Sequence, residues 1–506
     1  MLRIMTTLRL TPIALITAFL AGCHPPSRTS TEPMHAEFVT VVVDGDIGEW
    51  PGDSSAYADE HYLYLRFSVQ GERDTIQASS RGITLLVDAD GSTSTGYVSP
   101  FAPMNELGVD LQLEFSPLSP RGGRARGVRL SAVDGAGNTR PLSKEDFDIV
   151  FAPTYASSWY EVRINRTPEN AGGLPETGLL GPGRITTLAT YTDDTGAIVA
   201  FSDPMTVTTD IVCPGGRRTA AFAPPEKPAN AVRVLSWNVL RSAPMDNPGA
   251  FARILTALAP DVILLQEWEK GDAAAVQDWF DRNIPIGHSW SVRKAPGDLT
   301  NGGGVAVVSR FPMTAVLGES LFSQYKDDRG ADRRSAIRSV AGSIETPHGQ
   351  MLALSTHLKS GGGKDGIEDR RRIAEARAIN TTFAAVATAT GAPFRVIGGD
   401  MNLVGSRPPI DVLRAGLDTD NSDLTPAPAL VHGDHAYYTW RDAGTAFAPG
   451  RLDWIVYSDA SAKAVNAFVF DESRLTDEVR ASMGLQRGDG AASDHMPTVV
   501  DLVRIR

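Results

Sequence analysis

The chain changes character at a proline-rich segment, and this change limits how it can fold. Residues 204–230 contain five prolines, a composition typical of a linker. Before this segment apolar and polar residues alternate, which predicts half-buried strands. After it come continuous apolar runs, which predict strands covered on both faces. We therefore predict a β-domain over 37–203, a linker over 204–230 and an α/β domain over 231–506.

The first block is all β in pattern. Tyr62 and Tyr64 alternate with Leu63 and Leu65, the period of a strand with one face buried. Turn residues separate such runs, and we predict an antiparallel β-sandwich. The predicted strands are Phe38–Val43, Tyr62–Gln70, Ile83–Asp88, Val109–Phe115, Val128–Val133, Trp159–Ile164 and Ile185–Tyr191.

Two short segments of this block suggest ligands. The segment 44–50, from Asp44-Gly45 to Trp50, resembles the opening of family 9-like carbohydrate-binding modules, and this resemblance implies a glycan partner. The segment 88–97 places carboxylates and hydroxyls at alternating positions, which suits Ca²⁺. The alternative for 88–97 is an Asx-rich turn that closes a hairpin.

The second block alternates strands with helices. Apolar residues recur at helical spacing between Phe251 and Leu258 and again over 368–386. This alternation predicts a layered α/β domain. The predicted strands are Val232–Trp237, Val262–Leu265, Val305–Ser309, Met351–Thr356, Phe394–Ile397, Leu452–Val456 and Thr498–Leu502.

Polar residues follow or begin the apolar strands of this block. Singly, each has an ordinary explanation as solvated surface, a hydrogen-bonded structural residue or a turn. Together they predict one polar site at one sheet edge, because loop tips on a rigid scaffold carry catalytic groups. The candidates are Asn238, Glu267, His357, Asp400, Asn402, Asp453, Asp494 and His495.

The order of these segments resembles the endonuclease/exonuclease/phosphatase superfamily, the deoxyribonuclease I-like proteins. The most specific pieces are Gly399-Asp400-Met401-Asn402 and Ser493-Asp494-His495, and the glycine-led run 302–310 ending in Ser-Arg also matches. The resemblance covers residues 231–506. It implies a four-layer α/β sandwich with two packed sheets and a phosphoester hydrolase.

The resemblance also implies a cation site. Glu267 offers a carboxylate ligand for Mg²⁺ or Mn²⁺, and Asn238 offers a neutral oxygen beside it. Asp494 is expected near the metal, as a ligand or as an acceptor behind the ligands. Mg²⁺ takes few protein carboxylates and keeps several waters, so this small set suffices.

The same resemblance assigns the catalytic roles. Asp400 orients or deprotonates the attacking water, and Asn402 holds the phosphate or that water. His357 and His495 donate hydrogen bonds to the non-bridging phosphate oxygens. Asp453 pairs with a histidine, for which His495 is the first choice, and keeps it charged.

One stretch departs from the family pattern. Deoxyribonuclease-like members often carry a glutamate that supports the first catalytic histidine, whereas residues 332–337 contain Arg333 and Arg334. This puts a strict deoxyribonuclease I assignment in doubt. Arg334 becomes a candidate phosphate ligand, since Arg binds phosphate in bidentate fashion. The alternative is a solvated loop at the rim.

The N-terminal residues are typical of a targeting signal. Arg3 and Arg9 lead into the apolar run Leu10–Leu20, which ends near Cys23. A run this short fits a secretory signal, and the residues before Cys23 resemble a bacterial lipobox. We expect a signal peptide over 1–22, lipidation of Cys23, a tether over 23–36 and a location at the outer membrane or cell surface.

Charge narrows the function. The net charge of −12 argues against a generic high-affinity duplex binder, which would carry a basic field. We expect a monomeric, metal-dependent phosphodiesterase of nuclease type. The alternatives are a phosphomonoesterase, a sphingomyelinase-like lipid phosphodiesterase, or a non-catalytic lipoprotein that binds glycan.

Overall fold

The computed structural model describes residues 40–69, 75–168, 180–316 and 321–505. The N-terminal domain consists of antiparallel sheets that pack face to face. One has the order β1-β2-β8-β7, and the other has the order β10-β9-β3-β4-β5-β6, with β11 also pairing with β9. The strands are β1 (Ala56–Ala58), β2 (Tyr62–Ser68), β3 (Gly82–Asp88), β4 (Leu111–Phe115), β5 (Val128–Val133), β6 (Thr139–Leu142), β7 (Val150–Ala152), β8 (Trp159–Asn165), β9 (Gly183–Thr192), β10 (Ile198–Phe201) and β11 (Met205–Thr209).

Strand β2 shows how the sandwich packs. Leu63 and Leu65 enter the core between the two sheets, as their alternation predicts. Tyr62 and Tyr64, on the other face, are buried as well. They belong to an apolar cluster that also contains residues of the α/β domain such as Tyr437. The strand is therefore buried on both faces, because a second domain covers the side that the sequence pattern assigns to solvent.

The C-terminal domain contains two mixed sheets. One has the order β14-β15-β13-β12-β26-β25-β23, the other has the order β16-β19-β20-β21-β24-β22, and β17 and β18 form a separate hairpin. The strands are β12 (Ala231–Asn238), β13 (Val262–Gln266), β14 (Ser291–Lys294), β15 (Val305–Ser309), β16 (Met313–Ala315), β17 (Phe322–Lys326), β18 (Asp332–Ala336), β19 (Arg338–Thr346), β20 (Gly349–His357), β21 (Phe394–Asp400), β22 (Thr425–Pro426), β23 (Leu430–Val431), β24 (Asp453–Tyr457), β25 (Ala462–Val469) and β26 (Thr498–Arg504).

Three apolar cores give the C-terminal domain its four layers. One lies between the two sheets. The second joins the first sheet to its helices, and the third joins the other sheet to the long helix and its neighbour. The helices are α1 (Ala243–Asp246), α2 (Pro248–Leu258), α3 (Ala273–Asn283), α4 (Ile367–Thr390), α5 (Pro408–Arg414) and α6 (Asp477–Ser482). The predicted β-sandwich followed by a four-layer α/β sandwich is confirmed.

A buried charge cluster ties the two domains together. Arg163 of the β-sandwich lies 3.0 Å from Asp148 and 2.5 Å from Asp434 of the α/β domain. Arg474 of the α/β domain lies 2.6 Å from Asp148. Burial opposes ionisation of Asp148, but the two arginines hold its pKa below the usual range. We call Asp148, Arg163, Asp434 and Arg474 the interface cluster.

Several predicted boundaries differ from the structure. Strand Phe38–Val43 is reduced, within its described residues, to a bridge between Val43 and Ala436. The segment predicted as linker contains β11 and a bridge between Ala220 and Leu475. Residues 1–39, with the predicted signal peptide, Cys23 and the tether, lie outside the described residues. None of the helices in the described ranges has the length and apolarity to cross a membrane.

Candidate active site

The two sheets of the α/β domain bring the predicted polar residues to one edge. Strand β12 ends at Asn238 and runs parallel to β13, whose last residue precedes Glu267. In the second sheet β20 runs parallel to β21, with His357 opposite Asp400. Parallel neighbours end at the same edge, so the tips of four buried strands converge. Asp453 starts β24 in antiparallel register with Asp400.

Asp400 lies at the centre of this convergence. Its Oδ2 accepts a hydrogen bond from Asn238 Nδ2 at 3.1 Å and lies 3.5 Å from His357 Nε2 and 3.8 Å from His495 Nε2. Its Oδ1 accepts the backbone N–H of Asn402 at 3.0 Å. Burial raises the pKa of Asp400 to about 7, although His495 opposes the shift. A carboxylate with that pKa can accept a proton near neutral pH.

His495 is held in its charged form. Its Nδ1 donates to Asp453 Oδ2 at 2.7 Å. Burial lowers the pKa of His495, but the carboxylates of Asp453 and Asp400 outweigh it and raise the pKa to about 10. The Oγ1 of Thr439 accepts the backbone N–H of Asp453 at 2.9 Å and fixes the start of β24. The imidazolium therefore keeps Nε2–H as a donor directed at the Asp400 side of the site.

His357 differs from His495. It is buried, and burial together with the nearby Arg338 lowers its pKa well below the usual value. Its Nδ1 is buried without a hydrogen-bond partner in the described residues. A neutral imidazole carries one proton, so His357 can still donate through Nε2 toward a ligand. The two histidines therefore occupy one site in different charge states.

The residues at the other end of the site suit a hard cation. Glu267 Oε1 and Asp400 Oδ2 lie 3.2 and 3.1 Å from the same amide nitrogen of Asn238. Within the described ranges neither carboxylate forms an ion pair with a lysine or an arginine. Glu267 and Asp400 supply carboxylate oxygens of the kind that Mg²⁺ prefers, and the Asn238 amide, whose nitrogen faces both carboxylates, would add its oxygen once turned by 180°.

Residues with strained backbone conformations lie beside these candidate metal ligands. Leu240, Arg241 and Ser242 have φ of 47°, 51° and 66°, and Glu267 and Asn402 have φ of 60° and 48°. Non-glycine residues rarely adopt this region, and they concentrate at functional sites. The turn is held where the backbone N–H of Arg241 donates to Glu267 Oε2 at 3.1 Å. The strain therefore positions Glu267.

A cavity of about 300 Å³ opens onto this group. Members of the predicted site that line it are Glu267, His357, Asp400, Asn402 and His495. A sequence model of the endonuclease/exonuclease/phosphatase family matches residues 235–495, which is more than half of the chain.

The chain belongs to the endonuclease/exonuclease/phosphatase family. Among solved structures, the human Nocturnin catalytic domain is 20% identical over 55% of this chain and 97% of that chain, with a TM-score of 0.35. Sphingomyelinase C from Streptomyces griseocarneus is 16% identical over 54% and 99%, with a TM-score of 0.33. An AP endonuclease from Archaeoglobus fulgidus is 14% identical over 53% and 98%, with a TM-score of 0.33. No curated protein sequence matches the chain.

Asp494 and Arg334 are not among the residues that line the main cavity. Asp494 Oδ2 accepts from Trp440 Nε1 at 2.9 Å, and the residue lines an adjoining cavity with Leu240. Arg334 lies on the β17–β18 hairpin, where its guanidinium stacks 3.4 Å from the ring centroid of Phe322. Neither belongs to the described lining of the main cavity. Arg334 is therefore exposed on a hairpin beside an aromatic ring. This position agrees with the alternative interpretation of a solvated loop at the rim.

The structure adds residues that the sequence analysis missed. Arg338 is buried in β19 opposite His357, and its Nη2 donates to the carbonyl of Leu358. Ser355 Oγ accepts from Gln266 Nε2 at 3.0 Å and so joins the two sheets behind the site. The sequence could have indicated Arg338 only through its pairing with His357. That pairing depends on the strand register, which is set across the whole sheet.

The acidic loop of the β-sandwich is separate from this site. Asp88, Asp90 and Asp110 have carboxylate oxygens within 4.8 Å of one another. Backbone N–H groups already occupy Asp88, including that of Gly91 at 2.7 Å. This arrangement agrees equally with the Asx-rich turn, and Ca²⁺ binding there stays a prediction. In the other segment singled out, Trp50 is buried and donates to Glu161 Oε1 at 2.5 Å.

Proposed function

We propose that this family member is a Mg²⁺-dependent phosphodiesterase. The observation that carries the proposal is the convergence of Asp400, His357, His495 and Glu267 on one cavity. Phosphoester hydrolysis needs an activated water, donors for the phosphate oxygens and a cation. Each requirement has a matching residue here.

In this proposal the chain's own residues prepare the water and the phosphate. Asp400 accepts a proton from the water, whose oxygen forms the new bond to phosphorus while the ester P–O bond breaks and the leaving oxygen takes a proton from solvent. Asn402 orients the attack beside Asp400. His495 and His357 donate to the non-bridging oxygens. Glu267 and Asn238 would hold Mg²⁺, which when bound polarises the phosphoryl group.

The test is hydrolysis of a substrate panel with Mg²⁺ and with EDTA. The panel holds bis-p-nitrophenyl phosphate, plasmid DNA, RNA, sphingomyelin and inositol phosphates. We expect metal-dependent turnover of at least one diester, and a loss of kcat of about 10³-fold in Asp400→Asn. Asp278→Asn, an exposed carboxylate on α3, is the matched control. Turnover of no substrate overturns the proposal, and full activity of Asp400→Asn overturns the residue assignment.

The panel also separates the alternatives. Preference for a monoester among the inositol phosphates would indicate a phosphomonoesterase, and preference for sphingomyelin would indicate a lipid phosphodiesterase. Glycan binding without turnover would indicate the non-catalytic lipoprotein. Mn²⁺ in place of Mg²⁺ tests the identity of the cation.

We further propose membrane anchoring through Cys23. The support is the apolar run Leu10–Leu20 behind Arg3 and Arg9, and one acyl-modified cysteine would tether the chain. Labelled palmitate should enter the wild-type protein in a bacterial host and should not enter Cys23→Ser. Label in Cys23→Ser would contradict this assignment, for which Cys213→Ser is the control.

A further inference from the structure

Part of the wall of the active-site cavity comes from the other domain. Gln77, Ala78, Arg126 and Thr154 of the β-sandwich line the cavity together with the catalytic residues. A substrate that reaches Asp400 therefore contacts two domains. The β-sandwich belongs to the site and is not only an appendage for attachment.

Hydrogen bonds hold this wall in place on one side. Gln77 Oε1 accepts the backbone N–H of Ala448 at 2.8 Å, and the backbone N–H of Val128 donates to the carbonyl of Ala446 at 2.8 Å. Gly127 lies between these contacts with φ of 89°, and a Cβ there would collide with Ala446. Arg126 is thus carried by a segment whose backbone is fixed against the α/β domain.

A second set of contacts braces the catalytic loops themselves. Thr154 Oγ1 donates to the carbonyl of Leu403 at 2.8 Å and to that of Arg451 at 3.1 Å. The backbone N–H of Ala156 donates to the carbonyl of Gly405 at 2.8 Å. These loops adjoin Asn402 and Asp453. The β-sandwich wall therefore keeps a fixed position relative to the catalytic residues.

Arg126 gives this wall its charge. Among the described residues that line the cavity, Arg126 is the only lysine or arginine. Its side chain is exposed and forms no ion pair or hydrogen bond with the residues that the structure describes. The α/β domain contributes the carboxylates of Glu267 and Asp400 to the same cavity. The lining thus carries carboxylates suited to a cation and a guanidinium suited to an anion.

From this geometry, and resting on the proposed function, we infer that Arg126 binds a second negatively charged group of the substrate. The substrate class is a compact phosphoester that carries a further phosphate or carboxylate beyond the scissile phosphate. A guanidinium binds such groups through charge-assisted hydrogen bonds. The apolar side chains of Phe447 and Leu452, which also line the cavity, would contact the organic moiety.

The test compares two substrates with the same scissile bond. TpT and pTpT differ only in a terminal phosphate, and kcat/KM is measured for both with the full-length protein and Mg²⁺. We expect wild type to prefer pTpT, and Arg126→Ala to reduce that preference about tenfold through KM. Arg126→Lys should retain some of it. Arg121→Ala, an exposed arginine of the same region outside the cavity lining, should keep the wild-type preference.

The possible outcomes separate this inference from the proposed function. If wild type hydrolyses no substrate of the panel, the proposed function fails. If wild type hydrolyses a diester of the panel but does not prefer pTpT to TpT, or if Arg126→Ala leaves the preference unchanged, only the role of Arg126 is wrong. An equal loss in Arg121→Ala would also overturn it, because the effect would then be one of general surface charge.

Discussion

The interface cluster and the active site are two buried groups of charged residues, and their charges are balanced in different ways. In the interface cluster each carboxylate lies against an arginine: Asp148 against Arg163 and Arg474, and Asp434 against Arg163. At the active site the described polar contacts of Asp400 are with histidines and amide donors, and its strand neighbour Asp453 is a second carboxylate. The pKa of Asp148 is lowered, whereas that of Asp400 is raised to about 7. Fixed arginines keep the interface carboxylates ionised, and their absence beside Asp400 leaves a carboxylate that can take up a proton or a ligand.

The largest effect is expected from breaking the interface cluster. Arg474→Ala leaves Asp148 and Asp434 buried beside a single arginine, which should lower the free energy of unfolding by about 3–5 kcal/mol. Urea unfolding measures it. Arg487→Ala removes an exposed ion pair with Asp477 and should cost less than about 1 kcal/mol. Equal costs would show that burial does not distinguish the two arginines.

Removing the partner of His495 should affect activity more than stability. In Asp453→Asn the imidazolium loses the carboxylate that raises its pKa, so kcat should fall about 10²–10³-fold. The pKa of His495, followed by NMR, should fall from its raised position. A large loss of kcat with an unchanged histidine pKa would mean that Asp453 acts by positioning alone.

The two clusters should also respond to pH with opposite sign. The pKa of Asp400 is raised by burial, so its protonated form stabilises the native state below about pH 4, and this stability is lost as pH rises through 7. Asp148 has a lowered pKa, so its contribution is present above about pH 4 and is lost as pH falls. In EDTA, Asp400→Asn should gain about 4 kcal/mol relative to wild type between pH 4 and 7. Parallel curves would contradict this assignment.

The smallest effect on stability is expected at Gly127, beside the part of the cavity wall that the β-sandwich contributes. Gly127→Ala should cost about 1 kcal/mol more than Gly122→Ala, as measured by thermal unfolding. Both glycines have positive φ, of 89° and 87°, but only Gly127 lies against Ala446, while the space around Gly122 is open. If both substitutions cost the same, backbone conformation explains the whole effect and the contact with Ala446 contributes nothing.

The sequence predicted the polar edge of the two sheets because its signals are local. Buried apolar strands are readable as continuous runs, and their last residues, such as Asn238, His357 and Asp400, then fall at a common edge once neighbouring strands run parallel. The fold class and the family were accessible for the same reason. Short exposed elements such as the β17–β18 hairpin were missed because they have little apolar pattern.

The contribution of the β-sandwich to the cavity wall could not be predicted from the sequence. Gln77 and Ala448 meet across 371 positions of sequence, and no periodicity encodes a contact between two domains. Nothing in the sequence distinguishes Arg126 from other arginines, and only the structure shows that it lines the cavity. Tyr62 and Tyr64 show the same limit, since their pattern predicts a solvent-facing side that the α/β domain in fact covers.

The apolar contact between the domains has a consequence for dissecting the protein. A fragment beginning near residue 231 would uncover Tyr437, Tyr438 and Val469, which pack against the β-sandwich, and would leave Asp434 without Arg163. Such a catalytic fragment should be insoluble or incompletely folded, despite containing every residue of the family match. We therefore expect that replacing the β-sandwich by another domain would require redesign of the apolar α/β surface that it covers.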